Sequence, residues 1–244
     1  MPSKYSLDSI SIPLALGERP ATWGLNLNAF PQAHRDFEAA YRKWITDATP
    51  HLEGTGAYLY PFEHTHVTAA SPAPFTHGPL ASWTEAERAE LAGLWLIALR
   101  ETCVSGNAAG VAWPSEPFPL IFEKLELKAN CGIFMVGDPT GGVAKIRAAV
   151  AAAAKHRVFA TQRGAELLTR AGFKTPNIVH SSIMRFVTQS SLSDDEIEER
   201  WRRAAACWPG PVTVMAEAMT YIIEFVPYQH MDPNQGLLAK FRYE

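Results

Sequence analysis

Apolar residues recur at spacings of three and four at Phe37, Tyr41, Trp44, Ile45 and Ala48, with Arg35, Asp36, Lys43 and Asp47 between them. That period gathers the apolar side chains on one helical face and predicts an amphipathic helix opened by Pro31 and closed before Pro50. A second helix is expected from Thr84, which forms a capping-box pattern with Glu87; Leu91, Leu94, Trp95, Ala98 and Leu99 then keep the helical period. Residues 140–155, alanine-rich after Gly141-Gly142, and residues 158–171 read as two more helices. In residues 193–207, Ser193 and Glu196 form another capping box, and Ile197, Trp201 and Ala204 make an apolar face.

Between the helices the pattern shortens. Residues 56–71 are aromatic and β-branched without helical spacing, and read as β. Residues 119–139 hold two apolar runs broken at the polar residues 128–130, a hairpin pattern. Residues 176–189 read as a strand, and 211–228 with 237–244 supply two or three more. Residues 106–119 read as a loop, and residues 1–30, which show no period, are expected as an extended arm on the surface. Paired strands between single helices point to an α+β fold with antiparallel sheets. A faint twofold echo is also present: a histidine-bearing strand followed by a capped helix occurs at 64–99 and again at 178–207.

The chain has 244 residues, with 22 Lys+Arg against 25 Asp+Glu. So even a balance argues against a protein that grips duplex nucleic acid by phosphate neutralisation. Cys103, Cys131 and Cys207 are widely spaced and form no CxxC pair, so a reducing, cytoplasmic-type compartment is expected. The longest apolar runs are too short and interrupted for a transmembrane span, so no membrane partner is expected.

Chemistry enters with the echo. One strand reads His66-Val67-Thr68 and the other His180-Ser181-Ser182, each a histidine, any residue, then a hydroxyl. On a strand, positions i and i+2 share a face and lie ~6.5–7 Å apart. A histidine and a hydroxyl so placed can serve one phosphate, the imidazole moving a proton while the hydroxyl donates to a non-bridging oxygen. Two such strands facing each other provide a base and an acid, as opening a 2′,3′-cyclic phosphate by water requires, and histidine can play either part near neutral pH. No cofactor or metal is called for.

The paired motifs His66-Val67-Thr68-Ala69 and His180-Ser181-Ser182-Ile183 resemble those of the two-histidine (2H) phosphoesterase superfamily, which includes LigT-type RNA 2′,3′-cyclic phosphodiesterases. The resemblance spans roughly residues 56–228. It implies a single bilobal domain over 31–244, with two antiparallel sheets and flanking helices around a central cleft in a pseudo-twofold arrangement. It also implies His66 and His180 as the acid/base pair and Thr68 and Ser182 as phosphate-binding residues. The substrate implied is a nucleotide or RNA end bearing a phosphodiester, and a monomer is expected. The sequence departs from the family in a longer spacing between the histidines, which suggests an insertion at about 70–118, and in the small Ala69. The first 30 residues have no counterpart.

Other residues carry alternatives. Alternation puts His64 beside His66 and Thr68, either as half of an H-x-H metal pair or as a histidine at the cleft margin, which is the preferred reading. Alternation turns Arg185 away from His180 unless a bulge intervenes, and puts Met184 and Phe186 on the histidine face, as cleft wall or as core. Residues 137–145 (GDPTGGVAK) lack P-loop spacing and read as a turn feeding a helix. Phe62 and Tyr228 are the aromatic residues chosen as base-stacking candidates, the other aromatics being assigned to the core. His34, His51, His77, His156 and His230 have no partner pattern and are expected to be solvated or capping, and Cys103 to be a buried apolar side chain. A binding module that keeps the cleft without turnover is the alternative function, and a metal hydrolase built on His64 and His66 ranks below it.

Overall fold

A computed structural model describes residues 3–77, 82–104 and 113–243. Its nine described strands form two antiparallel sheets. The five-stranded sheet contains β2 (Ala57–Leu59), β4 (Phe118–Leu127), β5 (Cys131–Gly137), β6 (His180–Phe186) and β7 (Val212–Ala216), in the order β2-β6-β5-β4-β7. The hairpin expected at 119–139 is β4–β5. Helices α2 (Arg35–Leu52) and α6 (Asp194–Ala206) pack together beside this sheet. Phe37 of α2 meets Phe122 at 4.2 Å between ring centroids, and the Trp44 indole donates to the Ala204 carbonyl of α6 at 2.9 Å. The predicted capping box of α6 is present in full.

The four-stranded sheet has the order β3-β1-β8-β9, with β3 Val67–Ala73, β1 Gly24–Ala29, β8 Ala218–Glu224 and β9 Leu237–Arg242. Helices α3 (Glu85–Val104), α4 (Gly142–Ala153) and α5 (Gln162–Ala171) belong to this half of the molecule. The Tyr221 hydroxyl of β8 donates to the Ala92 carbonyl of α3 at 3.2 Å, while Arg147 of α4 donates to the Ala69 carbonyl of β3 at 3.1 Å. Ser71 of β3 forms an antiparallel bridge with Lys174 just after α5. The two halves meet where β3 packs against β6 and where β7 runs into β8 through Glu217 alone.

Several expectations need correction. Residues 24–29 are not part of an irregular arm: they form β1, wholly buried and paired on both sides. Residues 11–15 form a short helix, α1. Pro50 lies inside the last turn of α2 rather than beyond it, because Leu52 continues the buried stripe of Trp44 and Ala48 at four-residue steps. The β segment at 56–71 is two strands split by a 3₁₀ turn at Phe62–His64. Half of the predicted 106–119 loop, residues 106–112, lies outside the described residues, as does part of the 70–118 segment. Phe118 and Pro119 belong to β4 rather than to a loop, because they pair with Ala216 and Met215 of β7. Among the described residues no helix is long and apolar enough to cross a membrane.

Candidate active site

The 3₁₀ turn and the start of β3 place His66 immediately before the strand and Thr68 within it; His180 opens β6, with Ser182 two residues on. All four line one cavity of about 210 Å³ between the two sheets, together with Asn26 of β1, Arg185 of β6, Glu224 of β8 and Tyr228. A larger cavity of about 600 Å³ is lined by His64, Phe30, Phe122, Met215 and Met231 among others, and none of the four motif residues reaches it. The smaller cavity is where the chemistry converges.

Both histidines are oriented in the same way. His66 Nδ1 lies 2.9 Å from the carbonyl of His64, and His180 Nδ1 lies 3.4 Å from the carbonyl of Ile178. A carbonyl only accepts, so in the neutral ring Nδ1 carries the proton and Nε2 keeps its lone pair. Burial pushes the His66 imidazole down to about 4, against the hydrogen bond to His64 that favours the charged ring, and the nearby His180 and His64 add to the drop. Burial also lowers His180, helped by the positive charges of Arg185 and Arg147.

Arg185 faces the cavity, contrary to the alternation rule. The pairing of β5 with β6 runs Gly132 to Met184 and then Ile133 to Ser182, so Ile183 is an extra residue in β6. This bulge resets the alternation: Ser182 and Arg185 share a face, and Arg185 Nη2 sits 3.5 Å from Ser182 Oγ. Met184 and Phe186, for which cleft wall and core were both open, are buried in the core.

Tyr228 lies in the cavity wall, and the guanidinium of Arg185 is 4.7 Å from the centre of its ring. Its backbone is left-handed (φ 55°), as is that of Gln229 (φ 58°), an arrangement that side chains with a Cβ adopt at a cost of about 1–3 kcal/mol each. The turn is held by Glu224, whose buried carboxylate accepts from the Gln229 amide at 2.9 Å and from Asn26 Nδ2 at 2.7 Å. Desolvation pushes Glu224 up to about 7, against those hydrogen bonds.

Phe62 is not a stacking surface: it is buried with Phe37 at 5.9 Å and Tyr41 at 5.7 Å. His64 does not stand beside Thr68, because the 3₁₀ turn breaks the alternation and its ring stacks on His230 at 4.4 Å. His230 itself is buried, not solvated. Among the described residues no three His, Cys, Asp or Glu side chains come together as a metal-binding group. The GDPTGGVAK segment is a turn in which the Asp138 carboxylate accepts from the amides of Gly142 and Val143, so the start of α4 is capped by its own chain. Cys103 is half-buried on α3 against the core, and desolvation pushes its thiol up to about 12.

Sequence reasoning missed Asn26, Glu224 and Asp8 and turned Arg185 away. The alternation Leu25-Asn26-Leu27-Asn28 was a readable signal for a strand with one polar face. Asp8 looks locally like an ordinary turn residue, bonded to the Ile10 amide and Ser11 Oγ, while the partners that tie it to the site, Tyr228 and Arg185, are far along the chain.

No protein-family model matches the chain, and no curated protein matches it. Solved structures of similar arrangement include TT0787 of Thermus thermophilus, at 15% identity and TM-score 0.49 over 90% of this chain and 97% of that one. LigT of E. coli in its apo form is similar at 13% identity and TM-score 0.47, over 91% of this chain and 98% of that one. The MHV ns2 PDE domain is similar at 15% identity and TM-score 0.34, over 79% of this chain and 97% of that one.

Proposed function

We propose that the protein is a metal-independent phosphodiesterase of the two-histidine type, acting on a 2′,3′-cyclic phosphate or a related phosphodiester of a nucleotide or RNA end. The observation that carries this reading is the convergence of His66, Thr68, His180 and Ser182 on one cavity, with both imidazoles presenting Nε2. His66, held neutral, takes a proton from water as the water oxygen bonds to phosphorus. The bond from phosphorus to one ribose oxygen breaks, and His180 gives that oxygen its proton, leaving a phosphomonoester and a free hydroxyl. Thr68, Ser182 and Arg185 hold the non-bridging oxygens as charge builds up on them. A cavity of about 210 Å³ is smaller than the ~300–1,000 Å³ common for ligand pockets, which suits a phosphodiester and its sugar with the base outside.

The test is hydrolysis of 2′,3′-cyclic AMP in EDTA by the wild type, His66→Ala and His180→Ala. Loss of general acid/base help is expected to cost at least ~10²-fold in each variant. Near-wild-type turnover in both would remove the mechanism. Binding without turnover would favour a nucleotide-sensing module.

A further inference from the structure

The residues before α1 run as a strap along the five-stranded sheet. The Ser6 amide donates to the Ala129 carbonyl at 2.8 Å, and the Asp8 amide donates to the Phe186 carbonyl at 2.8 Å, so the strap pairs with the end of β6. This delivers the Asp8 side chain, which is buried, to the back of the candidate site. Its Oδ2 accepts from the Tyr228 hydroxyl at 2.8 Å and from Ser11 Oγ at 3.3 Å, and lies 3.4 Å from Arg185 Nε; its Oδ1 accepts from the Ile10 amide at 3.0 Å.

Arg185 is therefore gripped from behind. Its Nε faces Asp8 and the Tyr60 hydroxyl, each at 3.4 Å, and the Tyr228 ring covers the guanidinium. Nη2 remains directed at Ser182 and the cavity. A long cation that is free to rotate loses side-chain entropy each time it meets an anion, and a fork fixed in advance avoids that loss. A carboxylate near the start of the chain supplies the fixing. We infer that Asp8 is a positioning residue, and that the N-terminal strap completes the site by clamping Arg185 so that its Nη2, beside Ser182, meets a phosphoryl oxygen. Asp8 acts on the substrate only through Arg185. The inference rests on the proposed phosphodiesterase reading for its turnover readout, but not for its binding readout.

The experiment is a double-mutant cycle on the full chain with Asp8→Asn, Arg185→Gln and the double variant. Two quantities are read: kcat and KM for 2′,3′-cyclic AMP, and the Kd for inorganic phosphate by calorimetry. Asp8→Asn is expected to weaken phosphate binding and kcat/KM by about 10-fold, the scale of one hydrogen bond to a charged group. In the Arg185→Gln background the same change is expected to cost less than about 2-fold, because coupled residues fail to add. Tyr228→Phe, which removes only the hydroxyl on Asp8, is expected to give a smaller loss that Arg185→Gln also abolishes, and it keeps the test open should Asp8→Asn not fold. Equal losses in both backgrounds, or no loss in either, would overturn the clamp. If the wild type leaves 2′,3′-cyclic AMP intact yet binds phosphate, the phosphodiesterase reading fails and the affinity cycle alone decides on Asp8. If it neither turns over nor binds phosphate, both fall.

Discussion

One small unit recurs among the histidines: an imidazole whose Nδ1 turns back to the carbonyl two residues before it. His66 does this to His64, His180 to Ile178, and His230 to Tyr228 at 3.2 Å. In the first two the consequence is an outward Nε2 of defined tautomer, which suits proton transfer better than a freely rotating ring. In the proposed division of labour His66, pushed down to about 4, is the base that stays neutral, and His180, also lowered by burial, is the acid. A base must be deprotonated and an acid protonated. The acid-side limb of kcat/KM is therefore expected near pH 4, and the alkaline limb below the ordinary histidine value of ~6.5. The optimum then falls on the acid side of neutrality, and initial rates on 2′,3′-cyclic AMP across the acid, neutral and mildly alkaline range check it. A rate that stays flat well into the alkaline range would mean that no histidine acts as the acid. At this scale the four motif residues were legible because a two-residue spacing on a strand fixes their common face. Arg185 was not, because a single inserted residue, Ile183, reverses that rule and has no signature in composition.

At the scale of elements, α6 seats on the sheet beside the bulge. Gly132 of β5 pairs with Met184 next to the extra residue, and the ring of Trp201 fills the place of its missing side chain: a Cβ there would lie 2.4 Å from Trp201. Gly132→Ala must then push Trp201 and α6 outward. Overpacking of this kind costs about 1–3 kcal/mol, and the urea midpoint is expected to fall accordingly with an unchanged slope. An unchanged midpoint would show that α6 yields freely and does not seat the strand. The capped helices α3 and α6 could be read directly, because Thr84 with Glu87 and Ser193 with Glu196 are local patterns with a local cause. Strand β1 was missed although Leu25-Asn26-Leu27-Asn28 alternates, because asparagines in an otherwise irregular segment do not show which distant strands, β3 and β8, will cover them.

For the whole molecule, connectivity decides whether the two halves can unfold separately. The chain leaves β1 of one sheet for α2 and β2 beside the other, and returns in β3 and α3. It then crosses to the β4–β5 hairpin, back for α4 and α5, over again for β6, α6 and β7, and home in β8 and β9. Neither half is a continuous stretch, and one buried apolar cluster runs through both, from Leu25 and Tyr221 to Phe134 and Trp201. That interleaving is why the allocation of strands to sheets could not be read from their order, although the α+β class could. It also means that losing one sheet frees several tethered segments of the other at once, so the halves are expected to open as one cooperative unit. Native-state hydrogen exchange in low denaturant measures this directly. The slowest amides of β8 and of β5 are expected to share one opening free energy and one denaturant slope. Two distinct values would show that the sheets open independently. The cavity between them would then be a joint between mobile parts, and the placement of His66 against His180 would depend on ligand rather than on the fold.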